Sequence, residues 1–259
     1  MHMEATNPSG KTVIFDPDNH SFTIKETGQV LNGATTFIKG YFLEFDADKW
    51  APRTAKKRKT TTEAILAEWA EKAERGRNEG TNVHEYAEIM MLRKFRPNEP
   101  TNPLPQPLSG RCEDLFMVVD KAIDWLAKYY DLVDVEKIVF SPRLKISGII
   151  DLLMRNEDGL CILDWKQNRK IKNSNPFQNA LGPLNHLEDH DLNKYTLQLN
   201  VYRRILMEER YYPDIDYIDM KLIHLTQEGY FPMNLREMDL EISAMFKQYD
   251  GLFPGFMTS

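Results

Sequence analysis

The 259-residue chain contains few cysteines and no long apolar segment, and both absences limit the sites it can form. Cys112 and Cys161 are too few for a disulfide scaffold, a four-thiolate zinc site or an iron–sulfur cluster built from this chain alone. Both are predicted to be small buried apolar residues. Because no run of about 18 apolar residues and no secretory signal pattern are present, a cytoplasmic protein without membrane association is expected.

A large excess of charge of one sign is also missing. The formal net charge is −6, and charged residues make up 28% of the chain, an ordinary mix for a globular protein. This balance disfavours a nucleic-acid coat protein but is compatible with an enzyme whose acids hold metal ions. Basic residues cluster at Arg53 with residues 56–59, and at Lys166 with Arg169, Lys170 and Lys172. Such clusters are by default solvated faces, although the second continues a predicted strand.

That strand belongs to residues 146–166, in which two aliphatic segments flank Asn156-Glu-Asp-Gly159. The pattern predicts a β-hairpin. Side chains alternate along a strand, so Asp151 is expected on one face of the first strand, and Asp164 and Lys166 on one face of the second. A four-residue loop would set Asp151 opposite Asp164, whereas a two-residue Asp-Gly turn would set it opposite Lys166. Either register leaves the three polar side chains on the same face.

The apolar residues next to Asp151 and Asp164 indicate whether this face of the hairpin is buried. Ile149, Leu153 and Ile162 are predicted to lie on the same face, which argues against a plain exposed hairpin. Two acids and a lysine are costly to bury unless they have partners, and a divalent metal ion between the acids would supply one. The hairpin alone leaves the solvent-exposed alternative open, because charged residues often decorate strand faces.

The remaining chain is predicted to mix helices, strands and one irregular loop. The aromatic residues Tyr41, Phe42, Phe45 and Trp50 are expected to pack in a core, with stacking on the bases of a single strand as the alternative. A helical pattern from Thr60 to Phe95 is expected to break at Gly80, with Thr81 capping a new helix. The other predicted elements are a hairpin at 12–24, a proline-rich loop at 96–109, helices at 111–130, 192–210 and 240–246, and strands at 135–140 and 215–225.

Two helices carry polar pairs with a spacing of four residues. His84 and Glu88 share one face, as do Gln198 and Tyr202. Each pair alone is weak evidence, since a helical histidine is most often a satisfied polar residue. Glu136, on the predicted strand before the hairpin, belongs either to the acidic site or to the solvent-facing surface, and the sequence does not separate the two.

Four motifs in order resemble the PD-(D/E)XK nuclease superfamily, specifically its RecB-type exonuclease branch. They are Gly80–His84, Gly148–Asp151, Asp164–Lys166 and Gln198–Tyr202. Phage-type exonucleases are similar, and the mitochondrial genome maintenance exonuclease is a more distant likeness. The resemblance implies an α/β fold: a restriction-endonuclease-like core with a mixed central β-sheet flanked by helices, plus an N-terminal β-hairpin and helical additions. The resemblance covers a nuclease core at about 75–225. Because no composition shift marks a domain boundary, one domain over residues 1–259 is expected, with an N-terminal elaboration at 1–60.

The resemblance also implies roles for individual residues. His84, Asp151, Asp164 and the main-chain carbonyl of Trp165 would hold one or two Mg²⁺ or Mn²⁺ ions, and Lys166 would orient the attacking water. The family position of Asp164 is often Glu, and the four cysteines that hold an iron–sulfur cluster in some relatives are absent. By the same resemblance, Gln198 and Tyr202 would brace the site or contact the DNA backbone. Glu88 and Glu136 are further candidate supporting residues, and the candidate DNA-binding residues are Arg143, Lys145, Arg169, Lys170 and Lys172.

The expected function is therefore a metal-dependent DNA exonuclease in phage or bacterial recombination, repair or processing. Its partner would be DNA with free ends or single-stranded character. Two alternatives stay open: a structure-specific endonuclease, and a non-catalytic DNA-binding or assembly module that keeps the fold.

Overall fold

The computed structural model describes residues 3–17 and 19–251, and this part of the chain alternates strands and helices. The strands are β1 (Met3–Thr6), β2 (Thr12–Asp16), β3 (Ser21–Ile24), β4 (Val30–Gly33), β5 (Asp131–Ser141), β6 (Ile146–Asn156), β7 (Gly159–Lys166), β8 (Ile218–Thr226) and β9 (Gly229–Asn234). The helices are α1 (Ala34–Lys39), α2 (Ala47–Arg58), α3 (Thr62–Phe95), α4 (Gly110–Tyr129), α5 (Asp191–Glu208) and α6 (Asp239–Gly251). No helix in this part of the chain has the length and apolar character needed to cross a bilayer.

Two compact units make up the fold. One contains the residues up to Leu43, residues 128–224 and the residues from Phe231 onward, so it holds most of the sheet together with α1, α5 and α6. The other contains residues 44–127 and 225–230, and therefore α2, α3 and nearly all of α4. The expected proline-rich segment 96–109 connects α3 to α4 without regular secondary structure.

The central sheet is mixed, and this confirms the predicted fold class. Its strand order is β1-β2-β3-β4-β6-β7-β8-β9, and β5 pairs with β6 outside that path. The β5–β6 and β6–β7 pairs are antiparallel, whereas β4–β6 and β7–β8 are parallel. The predicted hairpin at residues 12–24 is present as the antiparallel pair β2–β3. β1, β4, β9, α1 and α2 were not predicted, since most are too short for a clear periodic pattern.

The β6–β7 hairpin adopts one of the two predicted registers. Arg155 pairs with Leu160 and Leu152 with Leu163, so Asp151 is in line with Asp164. The connection is nevertheless a two-residue turn at Glu157-Asp158, because Asn156 and Gly159 are themselves paired. Gly159 has φ 140, and a Cβ there would lie 2.7 Å from the Tyr217 carbonyl oxygen. Only glycine accommodates that conformation and that close approach.

Helix α5 packs against one face of the sheet and forms the largest apolar cluster of the first unit. Leu197 and Val201 of α5 lie in the same buried cluster as Leu153 and Ile162 of the hairpin. Ile149, in contrast, packs against a separate cluster formed with the N-terminal strands. The prediction that Ile149 and Leu153 share one face is therefore wrong, because simple alternation along β6 does not persist past Asp151.

Two further expectations are corrected by the helices of the second unit. α3 runs without interruption from Thr62 to Phe95, so the predicted break at Gly80 is wrong. A single glycine costs a helix only about 1 kcal/mol, which the buried residues of the following turns, such as Val83 and Ala87, offset. Of the aromatic residues expected in a core, Phe42 is buried there with Tyr41 packed against the same cluster, whereas Phe45 and Trp50 are 67% and 44% exposed.

Candidate active site

The site begins where β6 and β7 separate. Their ladder ends at the pair Leu152–Leu163, just before Asp151 and Asp164 would meet. In place of a ladder bond, the backbone N–H of Trp165 donates to Asp151 Oδ2 at 3.0 Å. Because the N–H and C=O of one strand residue point to the same side, the Trp165 carbonyl also faces the β6 side. The opening therefore collects a carboxylate and a main-chain carbonyl.

Glu136 of β5 supplies a second carboxylate on the other side of β6. Val135 pairs with Leu152 and Lys137 with Ile150, so Glu136 lies across the ladder from Asp151. Carboxylate oxygens of Glu136 and Asp151 lie within 4.8 Å of each other. Glu136 also has φ 45, a left-handed conformation that is strained for a residue with a Cβ. The sequence left Glu136 between the acidic site and solvent; the structure places it beside Asp151.

Asp164 and Lys166 follow on β7. Asp164 is 4% exposed, and its carboxylate forms an ion pair with the Lys166 ammonium. Burial acts to lower the pKa of Lys166, but the negative charges of Asp164 and Asp151 outweigh it and hold the pKa above its usual value. Lys166 is therefore a half-buried, protonated cation close to two acids.

Helix α5 covers Lys166 with an aromatic ring. The Lys166 Nζ lies 4.8 Å from the centre of the Tyr195 ring, a cation–π arrangement. The Tyr195 hydroxyl donates to Asn168 Oδ1 at 3.1 Å, and His224 Nε2 lies 2.6 Å from the Asn168 carbonyl oxygen. These three neighbours were missed by the sequence analysis. Tyr195 could have been found from its position three residues before Gln198, on the same face of a helix.

Tyr202 lies close to all three carboxylates. Its hydroxyl accepts a hydrogen bond from Gln198 Nε2 at 3.0 Å, so the pair predicted to share a helix face is in contact. Burial raises the pKa of the Tyr202 hydroxyl, although the Gln198 side chain acts in the opposite direction. Negative charge raises it further, from Asp164, Asp151 and Glu136. The tyrosine thus stays neutral next to three acids.

A glycine makes this position of Tyr202 possible. A Cβ on Gly148 would lie 2.3 Å from Tyr202 Cε1, far inside van der Waals contact. Gly148 is the glycine of the second sequence motif, three residues before Asp151. The motif therefore contains both a carboxylate of the candidate site, Asp151, and the glycine that leaves room for an α5 side chain.

The donor atoms gathered here fit a hard divalent cation. Glu136 and Asp151 offer carboxylate oxygens, which Mg²⁺ requires and Mn²⁺ accepts, and Asp164 and the Trp165 carbonyl lie on the adjoining strand β7. Like charges as close as those of Glu136 and Asp151 repel each other, and a cation between them would remove that repulsion. The residues present therefore suit the metal that the sequence motifs imply.

The other predicted site residues belong to α3 of the second unit and to exposed segments of the first unit. His84, half-buried, and Glu88 are on α3 in the second unit, and burial together with the charge of Glu85 raises the pKa of Glu88. Their roles at the site stay predictions. The remaining predicted DNA contacts are exposed and lie in the β5–β6 turn (Arg143, which pairs with Glu208, and Lys145) and in the segment after β7 (Arg169, Lys170 and Lys172).

Comparisons with known proteins bear on the family. No curated protein matches the chain in sequence. A solved structure titled "Crystal structure of SSO0001" is similar at 12% identity over 68% of this chain and 75% of its own, with a TM-score of 0.29, too loose to inform the fold. The family model of the PD-(D/E)XK nuclease superfamily matches residues 42–231, a span that includes every residue of the site described above. The chain belongs to the PD-(D/E)XK nuclease superfamily.

Proposed function

We propose that this member of the superfamily is a metal-dependent DNA exonuclease that hydrolyses phosphodiester bonds at DNA ends. The observation that carries the proposal is the arrangement around Lys166: an ammonium group held by Asp164 and covered by Tyr195, next to the opening where Asp151 and Glu136 face each other. A protonated amine beside a cluster of acids suits a reaction in which an anionic phosphate meets a metal-binding site.

The proposed metal ligands are Asp151, Asp164 and the Trp165 carbonyl, with Glu136 added on the strength of its closeness to Asp151. His84 is retained from the sequence motif as a further ligand. A bound Mg²⁺ or Mn²⁺ would polarise the phosphate and lower the pKa of a coordinated water.

Lys166 and its neighbours would position the attacking water and the phosphate group. The raised pKa of Lys166 keeps it a hydrogen-bond donor at neutral pH, so it would orient a water or stabilise charge on a phosphate oxygen rather than act as a base. Tyr195 restricts the ammonium from above, and Tyr195 itself is held through its hydroxyl by Asn168. The neutral Tyr202, with Gln198, would brace the acids from the α5 side.

The proposed substrate is DNA with a free end or single-stranded character. Exposed cations at Arg143, Lys145, Arg169, Lys170 and Lys172 would contact its phosphates, which position a nucleic acid without reading its sequence. Phage or bacterial DNA recombination, repair or processing in the cytoplasm is the setting we infer from the resemblance of the motifs.

The experiment that tests the proposal is digestion of end-labelled linear single- and double-stranded DNA with Mg²⁺, with Mn²⁺ and with EDTA. We expect release of short products from the ends with either metal and none with EDTA. A covalently closed circle distinguishes the endonuclease alternative, because an exonuclease has no end from which to start. Binding of DNA without cleavage under any metal condition would instead favour a non-catalytic module and reject the proposal.

A further inference from the structure

A second feature that could bind nucleic acid lies on α2, in the second unit. Residues 49–59 contain six of the 33 lysines and arginines of the chain and no acid, although the net charge of the whole chain is −6. In the structure, the segment has a buried and an exposed side. Ala51 and Ala55 are buried, and the exposed cations are Lys49, Arg53, Lys56 and Lys57.

These four cations occupy one face of the helix. At about 100° per residue, positions 49, 53, 56 and 57 fall on the side opposite Ala51 and Ala55. Trp50 borders the same face and is 44% exposed. Its ring lies 5.1 Å from the Arg53 guanidinium and 5.9 Å from Lys49 Nζ, so the indole holds both cations close to it.

Acids do not neutralise this face. Within residues 3–17 and 19–251, no carboxylate forms an ion pair with Lys49, Arg53, Lys56 or Lys57. The neighbouring Asp46 caps the helix instead, since its Oδ1 accepts from the backbone N–H of Lys49 at 2.9 Å. The one paired cation of the segment, Arg58, lies off this face and bonds Glu68 at 3.0 Å.

Helix stability does not account for the pattern. Cations favour the last turn of a helix, where they interact with the negative end of its dipole, and this explains Lys56, Lys57 and Arg58. Lys49 lies in the first turn, where a cation is unfavourable. Positions 49 to 57 extend about 12 Å along the axis, which corresponds to roughly three or four phosphates of one strand.

We infer that this exposed face of α2, which we call the α2 basic face (Lys49, Trp50, Arg53, Lys56 and Lys57), binds the phosphate backbone of the nucleic-acid substrate. Charge complementarity selects the partner, because a row of unneutralised cations matches a row of phosphates. The exposed indole beside them favours a single strand, whose unpaired bases stack on aromatic rings. The inference rests on the proposed function and adds a contact surface that its motifs do not contain.

The test compares two triple variants of equal charge change. Lys49→Gln/Arg53→Gln/Lys57→Gln alters the α2 basic face, and Lys72→Gln/Lys121→Gln/Lys128→Gln alters exposed lysines of α3 and α4. Affinity for fluorescently labelled single-stranded and duplex oligonucleotides is measured by anisotropy in EDTA, which prevents cleavage, from 50 to 200 mM salt. Circular dichroism checks that both variants are folded.

We expect the α2 variant to bind single strands at least tenfold more weakly at 50 mM salt, with the slope of log K against log salt reduced by about 2. The control should keep the slope of the wild type. Trp50→Ala should weaken single-strand binding about fivefold or more and duplex binding much less. An unchanged slope in the α2 variant, or equal losses in both triple variants, overturns the inference.

Further measurements test whether the α2 basic face binds another anionic partner, and whether the proposed cleavage activity holds independently of this face. Binding to polyglutamate and to phosphatidylserine vesicles is measured in the same way. If the wild type binds either of them as tightly as DNA and the α2 variant does not, the assignment to nucleic acid is also overturned. Cleavage by the wild type is measured independently. If the wild type binds DNA through α2 but never cleaves it, the proposed function fails while the α2 basic face stands.

Discussion

Lys166 is the residue on which the proposed chemistry of the site depends. Its side chain is half-buried, ion-paired with Asp164 and in contact with the Tyr195 ring, and nearby acids raise its pKa. A lysine in this setting is a fixed donor, unlike an exposed lysine that samples many rotamers.

Lys166→Ala should therefore lower the cleavage rate about 100-fold or more, because a preorganised donor to the reacting group is lost. Lys166→Arg should recover only part of the cleavage rate, since the planar guanidinium is larger than the compact ammonium group of lysine and cannot occupy the same place. The rates are measured on end-labelled DNA with Mg²⁺, and circular dichroism checks the fold. Undiminished cleavage by purified Lys166→Ala would contradict the assignment.

Glu136 is the second residue whose individual role can be tested, since its backbone and its charge are both unusual. Its φ of 45 is unfavourable, and its carboxylate lies within 4.8 Å of an oxygen of Asp151. Asn tolerates the left-handed conformation better than Glu and carries no charge.

Glu136→Asn should raise stability in EDTA by about 1 kcal/mol, because both strain and repulsion are relieved. The same change should reduce the stabilisation by Mg²⁺ or Mn²⁺, because one oxygen ligand becomes a weaker amide. Thermal unfolding with EDTA and with metal measures both effects. Asp131→Asn, at the exposed end of β5, is the matched control. If both variants change in stability and in stabilisation by metal to the same extent, Glu136 is not a metal ligand.

At the scale of elements, the contact between β6 and α5 decides whether the acids and the helix meet. Gly148 leaves room for Tyr202, and the rings and aliphatic side chains of α5 complete the largest apolar cluster of the first unit. The site thus depends on a packing relation between a strand motif and a helix motif that are 50 residues apart in the chain.

Gly148→Ala should destabilise the protein by about 1–3 kcal/mol, because the new methyl group would overlap the Tyr202 ring and displace α5 from the sheet. Tyr202→Ala alone should also destabilise, through the loss of buried area. The double variant should lose less than the sum of the two, since removing the ring removes the clash. Denaturant unfolding of all four proteins gives the coupling energy, and strict additivity would argue against this contact.

At the scale of the whole molecule, the reactivity of the two cysteine thiols can be used to test whether the core is folded. Cys112 and Cys161 are both buried, with 0% and 1% exposure. Burial raises the pKa of the Cys161 thiol to about 12, with Lys221 acting to lower it and Asp219 to raise it. Thiols held in this way are inert in the native state.

Native protein at pH 8 should therefore react slowly with a thiol reagent such as DTNB, and two thiols should react rapidly in guanidinium chloride. A raised folded pKa means that the stabilisation by Cys161 is complete below the usual thiol pKa near 8.5 and decreases as the pH rises towards 12. Cys161→Ala should lessen this alkaline loss of stability in pH-dependent melting curves. Rapid labelling of both cysteines in folded protein would contradict the described core.

The sequence by itself determined the parts of the protein that depend on local pattern. The β6–β7 hairpin, the helices at α4 and α5 and the order of the four motifs follow from residue periodicity and turn residues, which act over a few positions. The family assignment rests on the same short motifs, and the family model covers all four of them. Asp151, Asp164 and Lys166 were therefore found as candidates before any contact was known.

The tertiary structure decided everything that depends on partners distant in the chain. Glu136 joins Asp151 only through the β5–β6 register, and Tyr195 reaches Lys166 only because α5 packs on β7. α3 remains one helix through Gly80, and Trp50 faces outward, because burial of neighbouring positions outweighs local preference. Side-chain packing and register are properties of the assembled sheet and helices, so no pattern within a short window of sequence specifies them.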